Sequence, residues 1–158
     1  MIKTYDLASR WRRTIAAFID FILVPSLTLL FVLILGVIED PEDFTDRWWI
    51  VHILLLAIFS YLLLNGFLLR KFGQTIGKAI MHISIVRSEP HNNGLYYLNL
   101  LPIWKILFIR AMFFPLLYMI VIPWFMFVPI IDQILIFGKN RRCLHDYLAG
   151  SVVVYLSK

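Results

Sequence analysis

Cysteine is almost absent from this chain, since Cys143 is the single one in the sequence. One cysteine excludes an intrachain disulfide and offers no pair of thiols at the spacing of a zinc site. Charged residues are also scarce, at 16% against about 25% in ordinary soluble domains. Hydrophobic residues make up 61%, where about 45–50% is usual. This balance indicates an integral membrane protein with residues 1–158 in a single membrane domain.

Other absences exclude further classes of protein. The sequence has no internal repeat, no low-complexity linker and no soluble nucleic-acid module, so we expect no nucleic-acid partner. Residue spacing supports no Ser-His-Asp, Cys-His or paired-carboxylate arrangement, and we therefore do not assign the chain as an enzyme. The loop GQTIGK only partly resembles a phosphate-binding loop, because Phe72 and Ala79 replace two of that motif's residues. We therefore expect neither a cofactor nor a metal.

The first long apolar run covers residues 14–38, which exceeds the about 20 residues needed to cross a bilayer. Arg13 and Asp20 are seven residues apart, so on a helix they share one face about 10 Å apart along the axis. Asp20 would then lie inside the membrane, where an unpaired carboxyl group is costly and marks a candidate functional residue. A cleaved signal peptide fits poorly, because the run is too long and lacks an A-x-A-like cleavage site.

Charges at the ends of the apolar runs predict the topology. Four basic residues precede the first run, namely Lys3, Arg10, Arg12 and Arg13. The following loop, residues 39–47, contains five acids and one arginine. Because Lys and Arg favour the cytoplasmic side, we expect the N-terminus inside and this loop outside. A second apolar run ends at Leu69 and returns the chain to the cytoplasm before Arg70 and Lys71.

Residues 98–137 are again apolar, a length of about two crossings. They are interrupted by Lys105, Arg110, Asp132 and four prolines. Two arrangements remain open: an interfacial helix followed by one crossing, or a re-entering pair. The basic tail after residue 138 favours an even number of crossings. We predict an all-α integral membrane fold, a bundle of four (alternatively three) transmembrane helices with a short cytoplasmic loop and strand element.

The strand element is expected from two β-branched runs outside the apolar spans. These are residues 83–86 and 152–155, and β-branched residues favour strands. Both lie on the cytoplasmic side in the predicted topology. We expect them to pair as a short ladder, since pairing satisfies their backbone groups.

Three motifs together resemble the RDD family of small membrane proteins. They are R-x-x-A-x-x-x-D at 13–20, G-Q-T-x-G-K at 73–78 and HDYLAGSVV at 145–153. The family is named for one arginine and two aspartates, which the resemblance assigns to Arg13, Asp20 and Asp146. The loop motif supplies Gly73, Thr75, Gly77 and Lys78. Some members of the family have been linked to sodium/proton exchange, although its molecular function is largely undefined.

In the predicted topology Arg13, Asp20 and Asp146 converge at the cytoplasmic end of the bundle. An arginine between two carboxylates would offset the desolvation of Asp20. Such a cluster could bind a cation, carry a proton, or clamp the first helix to the C-terminal segment. Three further candidates for this cluster are Arg110, Asp132 and His145.

Two classes of function remain open. The first is a small transporter that couples a monovalent cation to protons and requires homo-oligomers, because four short helices enclose little pathway. The second is a non-transporting accessory or lipid-interacting subunit of a larger membrane assembly. Membrane lipids are expected partners in both cases. The expected location is the inner (cytoplasmic) membrane of a bacterium, with multiple crossings and both termini in the cytoplasm.

Overall fold

Two long helices pack against each other and form the main body of the structure. The computed structural model describes residues 4–37, 48–89, 95–110, 131–132, 134–138 and 142–156. Helix α1 covers Arg10–Ile34 and helix α2 covers Trp48–Phe72. The Ser9 side chain caps α1 by accepting a hydrogen bond from a backbone N–H of its first turn, as expected for serine at this position. The rings of Phe31 and Phe59 lie 5.6 Å apart between the two helices.

Both long helices have the length and composition of membrane spans. Their most apolar stretches have mean hydropathies of 2.5 and 2.1, and only 22% of each stretch is buried. A core helix of a soluble protein would instead be mostly buried. Large apolar side chains such as Leu33 and Phe67, each 70% exposed, point away from the protein. An apolar surface of this extent indicates contact with lipid.

Four short strands of the described residues form two antiparallel pairs. The strands are β1 (Thr4–Tyr5), β2 (Ile83–Arg87), β3 (Tyr96–Tyr97) and β4 (Ser151–Tyr155). β1 pairs with β3. β2 pairs with β4 in a register that runs from Ile83 opposite Tyr155 to Arg87 opposite Ser151. The predicted ladder between residues 83–86 and 152–155 is therefore confirmed.

The ladder of β2 and β4 has apolar side chains on both faces. Ile85 and Val153 belong to the main core, while Val86, Val152 and Val154 form a second apolar cluster. All five side chains are almost completely buried. Alternation between two buried faces is the expected behaviour of a strand covered on both sides. It explains why these two runs contain β-branched residues at successive positions.

The N-terminal segment also joins this ladder. Leu7 forms a bridge with Val154, and the Ala8 N–H donates to the carbonyl of Val153 at 2.9 Å. On the same strand, the Tyr155 N–H donates to the carbonyl of Asp6 at 2.9 Å. The segment before α1, the strand after α2 and the C-terminal strand are thus joined at one end of the helix pair.

Short helical segments connect these elements. Helix α3 covers Ile76–Ile80. Helix α4 covers Ile103–Lys105 and continues as a π-helical turn over Ile106–Arg110. A 3-10 turn covers Leu135–Phe137, and helix α5 covers Leu144–Ala149. Gly150 ends α5 with a φ of +64°. Glycine adopts this left-handed conformation without strain, so the chain passes directly from α5 into β4.

The fold-class prediction needs one correction. The described residues are mostly helical, but the two antiparallel sheets depart from an all-α fold. β-Branched runs near the helix ends bury their backbone groups by pairing with each other instead of extending the helices. Two helices of the described residues reach membrane length. The predicted third and fourth crossings fall largely on residues 111–130 and the acidic loop on residues 39–47, both outside the described residues.

Candidate functional site

One face of α1 carries its buried residues at intervals of three or four positions. They are Arg13, Ala16, Asp20, Val24, Thr28 and Val32. This spacing follows a single side of an α-helix. Arg13 and Asp20 therefore share a face, as predicted, and Ala16 lies between them.

Helix α3 approaches α1 at Ala16. A Cβ atom added to Gly77 would lie 2.2 Å from the carbonyl oxygen of Ala16 and 3.0 Å from the carboxyl carbon of Asp20. These distances are too short for any side chain at this position, so glycine is required for the close contact. The same contact brings the backbone of α3 within hydrogen-bonding distance of Asp20.

The Asp20 site consists of Asp20, Thr75, Gly77 and Lys78. The Thr75 hydroxyl donates to one carboxylate oxygen of Asp20 at 2.5 Å, and the Gly77 N–H donates to the other at 2.9 Å. The Lys78 ammonium lies 3.7 Å from the oxygen that Thr75 contacts. Asp20 is only 5% exposed. A buried carboxylate on a membrane-length helix thus has two hydrogen-bond donors and one cation around it, which offsets its desolvation.

Helix α2 positions this loop from the other side. The Asn65 side-chain oxygen accepts a hydrogen bond from the Ile76 N–H at 2.9 Å. Thr75 caps α3 by accepting from the Lys78 N–H at 3.3 Å, and its hydroxyl oxygen also lies 3.3 Å from the Lys78 ammonium. Thr75 therefore contacts both the carboxylate and the ammonium of the site. Asn65 fixes the loop to α2, while Asp20 fixes it to α1.

The Asp146 site consists of Arg13, Asp132, His145 and Asp146. Arg13 forms an ion pair with Asp146, which is completely buried. The Ser151 hydroxyl donates to the second carboxylate oxygen of Asp146 at 3.1 Å. Asp146 also accepts from the backbone N–H of residue 143 at 3.3 Å and so caps α5. One carboxylate therefore joins α1, the start of α5 and β4.

His145 lies between two carboxylates. Its Nδ1 is 2.6 Å from Asp132 and its Nε2 is 3.6 Å from Asp146. The backbone N–H of His145 also donates to Asp132 at 2.9 Å. Asp132 is 2% exposed, so these contacts offset the loss of hydration of its carboxylate. The imidazole connects Asp132 to the ion pair of Arg13 and Asp146.

The predicted single cluster of Arg13, Asp20 and Asp146 is divided into two sites. Arg13 pairs with Asp146, and Asp20 pairs with Lys78. The physical reason is the position of α3, whose backbone packs on Ala16 between the two charges of α1. The Asp20 carboxylate accepts its hydrogen bonds from this loop, whereas Arg13 pairs with the C-terminal segment.

The other candidate residues have distinct places. Gly73 adopts a φ of +64° in the turn after α2, and a Cβ there would lie 2.7 Å from the carbonyl oxygen of Ile85. This glycine therefore allows the loop to turn tightly into the site. Arg110 ends the π-helical turn, and its side chain lies outside what the structure describes.

Sequence reasoning placed Lys78 only in the loop motif and did not find its contact with Asp20. Part of a signal was present, because Thr75 is a residue type that commonly caps the N-terminus of a helix. An N-cap residue predicts where a helix begins, but it does not predict the contact of that helix with α1. The pairing of Asp132 with His145 had no comparable signal, since Asp132 stands in an apolar segment without periodic relation to α5.

Two apolar helices of membrane length, with buried charge pairs that join α1 to the loop after α2 and to the C-terminal segment, are features of a membrane protein. The sequence profile of the RDD family matches residues 7–150 of the chain. The match includes every residue of the Asp20 and Asp146 sites. The chain therefore belongs to the RDD family, which confirms the resemblance found in its motifs. No curated protein and no solved structure matches the chain.

Proposed function

We propose that this RDD-family protein exchanges a monovalent cation for a proton across the membrane. In this proposal Asp20 binds the cation and Lys78 carries the proton. The observation that supports it most is the 3.7 Å distance between the Lys78 ammonium and a buried carboxylate on an apolar helix of membrane length. Ionisable residues inside membranes are costly and typically belong to ion or proton pathways.

The oxygen atoms of the Asp20 site suit a hard cation. Carboxylate and hydroxyl oxygens bind such ions. Asp20 supplies a carboxylate oxygen and Thr75 a hydroxyl oxygen, and these two atoms are hydrogen-bonded to each other. The Lys78 ammonium lies close to the same two side chains. A metal cation and the ammonium would therefore compete for the same oxygens.

Competition couples the two charges. A cation bound to Asp20 repels the nearby Lys78 ammonium, which releases its proton to water and becomes a neutral amine. Return of the proton to Lys78 expels the cation. One cation enters for each proton that leaves, so the net charge of the site stays constant through the exchange. The Lys78 side chain is 16% exposed, which gives the proton a route to water.

The proposal includes a topology. The N-terminal segment, β2 and β4 are joined at one end of the helix pair, which supports both termini on the same side of the membrane. The basic residues at these ends favour the cytoplasm. We therefore propose a multi-pass protein of the bacterial inner membrane. A homo-oligomer is part of the proposal, because α1 and α2 alone enclose little pathway.

A flux assay in proteoliposomes tests the exchange. Vesicles with a sodium or potassium gradient and an internal pH dye should show cation-dependent proton movement with the wild-type protein. Asp20→Asn should abolish it, because the amide cannot balance a cation. Lys78→Gln should remove the proton movement in the same assay. Lys71→Gln is the matched control, since Lys71 is an exposed lysine outside the site, and its flux should equal that of the wild type.

A non-transporting accessory subunit is the second candidate. It is favoured by the fact that both sites join elements: Asp20 joins α1 to α3, and Asp146 joins α1 to α5. In that case the wild-type protein would carry no flux above empty vesicles. Asp20→Asn would then lower thermal stability in detergent and affect nothing else. Flux retained by Asp20→Asn would also exclude the proposed exchange.

A further inference from the structure

We propose that Asp132, Cys143 and His145 form a binding site for a transition-metal ion of the Zn²⁺ class. A thiol sulfur, an imidazole nitrogen and a carboxylate oxygen of these residues all lie within 4.8 Å of one another. Asp132 and Cys143 are buried, and the His145 side chain is 14% exposed. The site is separate from Asp20 and Lys78 and does not depend on the proposed exchange.

The three donor types select the class of metal. Thiolate and imidazole prefer zinc and related transition metals to magnesium or calcium, which take oxygen ligands. Ligand atoms around a tetrahedral zinc ion are about 3 to 4 Å apart, given bond lengths near 2.0–2.3 Å. The ligand atoms of Asp132, Cys143 and His145 are within about 1 Å of these distances, and rotation of the side chains can remove that difference.

His145 already has the orientation of a metal ligand. Its Nδ1 lies 2.6 Å from an oxygen of Asp132, so these two atoms would have to separate to about 3–4 Å to hold an ion between them. Its other nitrogen, Nε2, lies 3.6 Å from the carboxylate of Asp146. Metal-binding histidines commonly direct their second N–H to a carboxylate, which fixes the tautomer and raises ligand basicity. Asp146 is itself held by Arg13.

The ion would tie distant parts of the chain together. Asp132 precedes the 3-10 turn, whereas Cys143 and His145 stand at the start of α5. Binding displaces the thiol proton of Cys143 to water and leaves a site with three protein ligands. The fourth position of a tetrahedral ion would be open to water.

The single cysteine makes the test specific. Full-length protein, purified in detergent and treated with chelator, is titrated with Co²⁺, whose thiolate charge-transfer band reports a sulfur ligand. The band should appear in the wild type and be lost in Cys143→Ser. In a second measurement, Zn²⁺ should slow maleimide labelling of Cys143 by about tenfold when free zinc exceeds its dissociation constant tenfold. Mg²⁺ should leave the labelling rate unchanged.

Variants identify the other ligands. Asp132→Asn and His145→Gln should each reduce the protection by Zn²⁺ to near the rate seen with chelator. His82→Asn is the control, because His82 is exposed with a φ of +54° that asparagine tolerates, and it should keep full protection. The cobalt titration and the labelling of the wild-type protein test the proposal even if a variant fails to fold. Absence of the cobalt band together with unchanged labelling in Zn²⁺ would overturn it.

Discussion

At the scale of single residues, the three buried carboxylates in the described part of the chain each have a basic side chain beside them. The pairs are Asp20 with Lys78, Asp132 with His145 and Asp146 with Arg13. A buried ion pair contributes little net stability compared with apolar residues, because both charges lose their hydration. Removal of one partner is costly, since the other charge stays buried and uncompensated. Single and double substitutions should therefore differ strongly.

A double-mutant cycle distinguishes the two sites. Arg13→Ala alone should lower the free energy of unfolding by about 3–5 kcal/mol, because it leaves Asp146 unpaired. Combined with Asp146→Asn, part of this loss should return as a coupling energy of about 0.5–3 kcal/mol. Arg13→Ala combined with Asp20→Asn should be additive within about 0.5 kcal/mol. Thermal or denaturant unfolding in detergent provides the values.

Equal coupling of Arg13 to Asp20 and to Asp146 would contradict the division into two sites. The three residues would then act as the single charge cluster that the motifs alone suggest.

Gly77 is the second residue at which we expect a specific effect of substitution on stability. Gly77→Ala should destabilise the protein by about 1–3 kcal/mol through overpacking, because its Cβ would lie 2.2 Å from the Ala16 carbonyl oxygen. Gly66→Ala is the matched control, since nothing lies within 4 Å of a Cβ at that position in α2. It should stabilise α2 by about 0.5–1 kcal/mol. Unfolding in detergent measures both, and equal effects would argue against the close contact of α1 and α3.

At the scale of elements, the five-residue helix α3 connects the larger parts of the structure. It contacts α1 through Asp20 and Gly77, and α2 holds its first residue through Asn65. It leads after a short turn into β2, which pairs with β4. So short a helix has little stability of its own. Its geometry therefore comes from these tertiary contacts.

The register of β2 and β4 can be tested by cross-linking in a Cys143→Ala background, which has no other cysteine. Ile85 and Val153 are directly opposite, and opposite residues of antiparallel strands have Cα atoms about 4.5–5.5 Å apart. This separation suits a disulfide. Ile85→Cys with Val153→Cys should therefore cross-link within one chain on mild oxidation, as mass spectrometry of proteolytic fragments would show.

Ile85→Cys with Val152→Cys is the control for this register. Val152 belongs to the apolar cluster on the other face of the ladder, so this pair should stay reduced. Cross-linking of the control pair alone would mean that the ladder is shifted by one residue, which reverses the faces of every side chain.

At the scale of the whole molecule, the described residues combine two apolar helices with a polar, strand-containing end. The apolar surfaces of α1 and α2 face outward, and the N-terminal segment, β2 and β4 form one assembly. Such an assembly cannot be separated by a bilayer, because its backbone hydrogen bonds run between the three segments. The three segments should therefore be on the same side of the membrane.

Single cysteines in a Cys143→Ala background test this arrangement in intact cells. Asp6→Cys and His82→Cys should resist a membrane-impermeant maleimide added from outside, because we propose a cytoplasmic position for both. Asp43→Cys, in the acidic loop outside the described residues, should be labelled. Labelling of Lys139→Cys from outside would require an odd number of crossings before it and would contradict the proposed topology.

Local sequence patterns were sufficient to predict the membrane character, the shared face of Arg13 and Asp20, the ladder of β2 and β4, and the family. Each of these depends on local patterns: hydropathy, helical spacing, β-branched runs and short motifs. The partners of Asp20 and Asp132 could be identified only in the folded chain. Their contacts depend on where a short helix packs against Ala16 and where α5 meets a distant segment. Such positions arise from packing between elements, and no periodicity along the chain encodes them.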